Sequence, residues 1–117
     1  MQPRMPLPVD ANRLQCLPVG AAEQLRRYEE GKRREEWAPK VDQNGEVLYG
    51  QQLVVMCDGD AAIIRVSVPG DPQLKQGELV QVDGLTTQLW EMDGKFGLSF
   101  RANAIRSSGQ RAEKAAA

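Results

Sequence analysis

A chain of 117 residues suits a single domain with one hydrophobic core. Its 15 Lys+Arg against 16 Asp+Glu lack the basic excess of a dedicated duplex-DNA binder, while single-strand binding, where stacking shares the work with charge, stays open. Without a single histidine, His-based acid–base catalysis and His-ligated metal sites are excluded.

From the N-terminus, residues 1–9 are broken by Pro3, Pro6 and Pro8 and read as a poorly ordered segment rather than a signal peptide. No apolar run approaches the roughly 20 residues of a membrane span, so a cytoplasmic protein with no membrane partner is expected. Residues 21–36 (AAEQLRRYEEGKRREE) have helix-forming composition and i,i+4 pairs, Glu23 with Arg27 and Glu29 with Arg33. The apolar stripe is poor and Gly31 sits in the middle, so a solvated strand and loop is the alternative, and the family resemblance given below favours it. The basic residues Arg26, Arg27, Lys32, Arg33 and Arg34 are largely cancelled by Glu29, Glu30, Glu35 and Glu36, as on a mixed solvated face.

Asp42-Gln43-Asn44-Gly45 is a turn cluster. Residues 46–57 follow as a strand whose end, Leu53-Val54-Val55-Met56-Cys57, is apolar on both faces and so central. Asp58-Gly59-Asp60 turns the chain. In residues 61–68, Ala62, Ile64, Val66 and Val68 fall inward and Ile63, Arg65 and Ser67 outward. Pro69 to Pro72 breaks the pattern. Residues 78–92 hold two strand halves pivoting on Gly84, a bulge or barrel corner. Asp93-Gly94-Lys95 is a second hairpin turn, and residues 96–105 return with Leu98, Phe100, Ala102 and Ala104 in phase. Residues 107–117 are small and polar and read as a tail, which leaves 10–106 as the folded domain.

Short strands with turns between them predict an all-β chain, either a small barrel or a sandwich. The stretch 75–105 carries Lys75, Gly77, Val80, Val82, Gly84 and Trp90, with a hairpin at Asp93-Gly94. It resembles the second half of bacterial single-stranded DNA-binding proteins, whose strand bends at that Gly and runs on to a Trp. A wider resemblance rests on Leu17-Pro18-Val19-Gly20, on Lys40, Asp42, Gly45, Glu46 and Leu48, and on Ser99-Phe100-Arg101-Ala102. Over these residues the chain is similar to replication-activator and single-strand-binding-like accessory proteins of actinobacterial integrative and conjugative elements. The resemblance implies a five-stranded antiparallel barrel of the oligonucleotide-binding (OB) kind, with its first strand at about 17–30, and a plasmid or mobile-element setting.

Among candidate site residues, Trp90 comes first: it shares a strand face with Thr86 and Gln88, so it is expected to look outward as a platform for base stacking. Packing beneath a loop at the barrel mouth is the alternative role. Trp37 stands among Arg33, Arg34 and Lys40, either as part of a single-strand clamp or packed across one end of the barrel. Tyr49, beside Gly50, faces a groove or pins a loop. Arg65, Lys95 and Arg101 lie at outward positions near Trp90, placed for phosphates. Phe100 is assigned to the core. Cys16 and Cys57 have no metal-ligand spacing and are read as small apolar residues of a reducing compartment. Asp58 and Asp60 around Gly59 read as turn formers rather than a metal loop. With neither a nucleophile–base pair nor a nucleotide fingerprint, the expectation is a non-enzymatic domain without a cofactor. Its expected partner is single-stranded DNA or RNA, and the apolar surplus at 53–57 suggests a homo-oligomer. The rival is a protein-interaction module joining replication or conjugation proteins, which the near-neutral charge favours.

Overall fold

Alternating apolar residues and tight turns build one curled sheet of eight strands. The computed structural model describes residues 5–111, with side chains through Ser108. The strands are β1 (Leu7–Pro8), β2 (Gln15–Gln24), β3 (Leu48–Cys57), β4 (Asp60–Pro69), β5 (Glu78–Asp83), β6 (Thr86–Met92), β7 (Lys95–Arg101) and β8 (Ala104–Arg111). Their order across the sheet is β1-β6-β7-β4-β3-β2-β5-β8. Every pairing is antiparallel except β4 with β7, where Val66 lies beside Phe100 and Ser67 beside Arg101. The described residues contain no α-helix, and no helix long and apolar enough to cross a membrane.

Two hairpins follow directly from sequence. Asp58 and Gly59 join β3 to β4, and Asp93 and Gly94 join β6 to β7; all four residues have positive φ. Such paired left-handed residues match the twist of the strands they connect. At the 42–45 turn, the Asp42 carboxylate accepts hydrogen bonds from the Asn44 and Glu46 amides.

The core lies on one face of the sheet. Cys16, Leu53, Val66, Val68, Val80, Val82, Leu85, Ala102 and Ile105 form it. The one buried polar side chain among the described residues, Gln51, is satisfied. Its amide donates to the Gly20 and Gln52 carbonyls at 3.1 and 2.9 Å. It thereby ties β3 to β2 where the register of that pair slips between Val19 and Glu23.

Several expectations change. The sheet has eight strands, not five. The region 96–105 is not one strand: it breaks at Ala102 and Asn103, so β7 pairs with β6 while β8 pairs with β5. Leu98 is therefore exposed rather than inward, because it sits on a hairpin that projects past the core. Ala62, expected inward, is also exposed, near the tip of the β3–β4 hairpin. Residues 21–36 form neither a helix nor a continuous strand: β2 ends at Gln24, and a loop follows with one 3-10 turn at Arg34–Glu36.

The strands extend beyond residues 10–106 at both ends. β8 runs past Arg106 to Arg111, and the Ser107 and Ser108 hydroxyls donate to Glu78 and to the Leu79 carbonyl. Leu7–Pro8 pairs with β6. The outer parts of the two terminal segments, 1–4 and 112–117, lie outside the described residues. The corner at Gly84 is as expected. Its φ is +67°, and a Cβ there would strike the Asn103 side chain.

Candidate nucleic-acid interface

Residues directly opposite in adjacent strands point to the same side of a sheet. This rule, applied to the observed register, assembles the candidate site. On β6 and β7 the pairs are Thr86 with Arg101, Gln88 with Ser99, Trp90 with Gly97 and Met92 with Lys95. These eight residues share one face of the hairpin, and it carries two cations and no carboxylate. Through the Ser67–Arg101 pairing the face continues onto β4, where Arg65 lies two residues from Ser67. It then reaches β3 at Gly50 and Gln52, the partners of Ser67 and Arg65.

Trp90 owes its posture to Gly97. The indole lies over the glycine backbone of the neighbouring strand, in space that a Cβ at residue 97 would occupy. The side chain remains 40% exposed. Contact with a backbone fixes the ring while part of it stays in water, the arrangement a stacking base requires. It packs on a strand, not under a loop.

Arg101 is exposed at the inner end of the same face. There a groove of about 290 Å³ opens between the hairpin, β4 and the loop that precedes β3. Arg101, Lys40, Ser67, Thr86, Gln88 and Ser99 are among its lining. Lys95 is exposed at the outer end, in the strand that follows the turn. Among the described residues no carboxylate pairs with Lys40, Lys95 or Arg101.

Arg65 is on the shared face but already engaged. Its guanidinium crosses Gly50, which has no side chain to obstruct it, and reaches Glu23 at 3.5 Å. Tyr49 does not join the site: it is half-buried on the opposite side and packs against the core. Trp37 organises the loop between β2 and β3. Its indole N–H donates to the Lys32 carbonyl at 3.0 Å, and its ring meets Tyr28 edge-on with centroids 5.1 Å apart. Arg26 braces the same loop, donating to the Glu35 carbonyl at 2.8 Å.

Four of the six nominated residues, Trp90, Lys95, Arg101 and Arg65, thus share one face, while Tyr49 and Trp37 do not. Lys40 enters the sequence reading only as a neighbour of Trp37 and within the wider resemblance, and Gly97 not at all. A glycine inside the alternating run Phe96-Gly97-Leu98 was the available signal for the second, since such a glycine marks close approach by a neighbouring group. Nothing in the sequence reveals that Lys40 and Arg101 line one groove.

Elsewhere, Cys16 is buried in the core, and burial raises its thiol pKa above the ordinary value. No cluster of metal-ligating side chains occurs among the described residues. In comparisons with known proteins, no family model, no curated protein and no solved structure matches this chain.

Proposed function

We propose that the chain is a non-enzymatic OB-type domain that binds single-stranded nucleic acid, with DNA the first ligand to test. The observation that carries this reading is the hairpin face on which Trp90, Lys95 and Arg101 stand together without a carboxylate. A single strand offers bases to stack and phosphates to neutralise, and this face presents an aromatic ring between two cations. The strand order is further support. Taken in chain order, β2, β3, β4, β5 and β8 pair as 3-2-1-4-5, the Greek-key arrangement of an OB barrel. The β6–β7 hairpin is then the excursion between the fourth and fifth strands, one of the loops with which such barrels hold oligonucleotides. The resemblance of 75–105 to bacterial single-stranded DNA-binding proteins points the same way, and the wider resemblance suggests replication or conjugation of a mobile element.

Titration with oligo-dT in a Trp37→Phe background tests the reading. Tryptophan fluorescence should be quenched as a base stacks on Trp90. Trp90→Ala should weaken binding by about 1–3 kcal/mol, with little change in the denaturation midpoint. Unquenched fluorescence at low salt, together with a Trp90→Ala protein that unfolds at lower denaturant, would make Trp90 a packing residue. One observation favours a second reading, a protein-interaction module: Leu89, Phe96 and Leu98 on the other face of the hairpin are 56%, 67% and 58% exposed.

A further inference from the structure

The groove beside Arg101 is equipped differently from the rest of the hairpin face. Its polar lining combines two cations, Lys40 and Arg101, with three hydroxyls, those of Ser67, Thr86 and Ser99, and it contains no carboxylate. Two of these hydroxyls direct their protons elsewhere. Thr86 donates to the Arg101 carbonyl at 3.4 Å, and Ser99 to the Gln88 carbonyl at 3.3 Å. What each turns to the groove is therefore a lone pair, an acceptor rather than a donor. Both bonds cross between β6 and β7, so the strand register holds the two oxygens in place.

Acceptors in a cationic groove make a mixed demand. A phosphate oxygen answers the cations but brings no proton for the hydroxyl oxygens. A ligand that satisfies both carries an anionic oxygen with an O–H beside it. Along the backbone of a nucleic-acid strand the one such group is the ribose 2′-hydroxyl, next to the 3′-phosphate, and deoxyribose lacks it. The position fits as well. Gln88 and Ser99 form the row of the hairpin adjacent to Trp90 and Gly97, and Thr86 with Arg101 form the row after that. Successive rows on one face are two residues apart, about 7 Å. A base stacked on Trp90 thus sets its sugar over Ser99 and its phosphate toward Arg101. At about 290 Å³ the groove has room for one sugar and its phosphate.

We propose that this groove seats a ribose with its phosphate, so that the chain holds single-stranded RNA more tightly than DNA of the same sequence. The inference rests on the hairpin face being a nucleic-acid interface, and it adds which sugar that interface selects.

Anisotropy titrations with labelled oligo-U and oligo-dU test it, since these two strands differ only at the 2′ position. Oligo-U should bind about three- to tenfold more tightly, what one net hydrogen bond contributes. A double variant, Thr86→Val with Ser99→Ala, should bring the two affinities toward parity. Lys40→Ala should weaken both strands and preserve their ratio, because it meets the phosphate that both share. Uridine monophosphate should compete only at concentrations far above those of oligo-U. Equal affinities for the two strands, or a preference that survives the double variant, overturn the proposal while leaving the interface reading intact. Uridine monophosphate as potent as oligo-U makes the groove a free-nucleotide pocket and overturns it too. If neither strand binds, the interface reading itself fails and this inference falls with it.

Discussion

At the scale of single residues, two glycines shape the candidate site by what they omit. Gly97 makes room for the Trp90 indole, and Gly50 for the Arg65 guanidinium. The consequences of filling the space differ. A methyl at Gly50 meets the far end of a flexible side chain and the tip of Leu25, which can move aside. A methyl at Gly97 meets a rigid ring, which must swing off the strand. Gly97→Ala should therefore weaken oligo-dT binding nearly as much as Trp90→Ala, by about 1–3 kcal/mol. Retained affinity would mean that the ring does not need the strand beneath it.

Cys16 offers an independent check at this scale. Its buried thiol holds its proton more tightly than the ordinary group. One thiol, that of the partly exposed Cys57, should react promptly with a thiol reagent at pH 8, and the second only after denaturant is added. The linkage has a definite sign. The unfolded chain loses the Cys16 proton at lower pH than the folded one, so this group's contribution is present below the ordinary thiol pKa. It is lost as pH rises above that value. Cys16→Ala should flatten that alkaline fall in a pH series of denaturation midpoints.

At the scale of elements, the β6–β7 hairpin differs from the strands around it. Beyond Phe100 its side chains are exposed or only partly covered, whereas β3 and β4 carry Leu53, Val66 and Val68 almost wholly buried. A ladder with little burial beneath it opens at low cost. Amides in the outer half of the hairpin should thus exchange with solvent well before those in the middle of β3 and β4. Oligo-dT should slow that exchange selectively, and no slowing at saturating oligonucleotide would remove the hairpin from the binding face.

The same strands make Gln51 a structural rather than a binding residue. It is almost fully buried, and its amide bridges β3 to the irregular stretch of β2 at Gly20. Gln51→Ala leaves a cavity and removes the tie to Gly20, whose carbonyl keeps its bond from the Gln76 amide, at a cost of about 2–4 kcal/mol. Chemical denaturation would show this as a lower midpoint with an unchanged slope.

At the scale of the whole molecule, the fold depends on its last strand. β8 pairs with β5 from Ala104 to Arg111, and the Arg106 guanidinium forks onto the Asp83 carboxylate at 2.8 and 3.2 Å. Stopping the chain after Arg106 removes the Val80–Ser107 pairing and both serine hydroxyl bonds to β5. A chain ending there should unfold at a lower temperature than one ending at Arg111. Equal midpoints would show that the outer half of β8 contributes nothing.

Local chemistry made much of this architecture readable. The Asp-Gly pairs at 58–59 and 93–94 and the corner at Gly84 are set by which residues tolerate positive φ, a property each residue carries with it. The alternation in β4 put Val66 and Val68 inside, since a strand's period of two needs no outside information. What the sequence could not settle is which strand pairs with which. The run from Phe96 to Ile105 alternates well enough to pass for one strand, yet its two halves belong to different partners. Its phase is interrupted at Ala102, whose amide donates to the Ser67 carbonyl of β4. Leu98 was consequently misplaced, because whether an apolar side chain is buried depends on what lies across from it, and past the edge of the core nothing does. The site was divided in the same way. Trp90, Lys95 and Arg101 could be nominated from their positions along one chain segment. Their shared face with Arg65, the room that Gly97 leaves for the indole and the groove lined by both Lys40 and Arg101 arise only when register brings distant residues side by side.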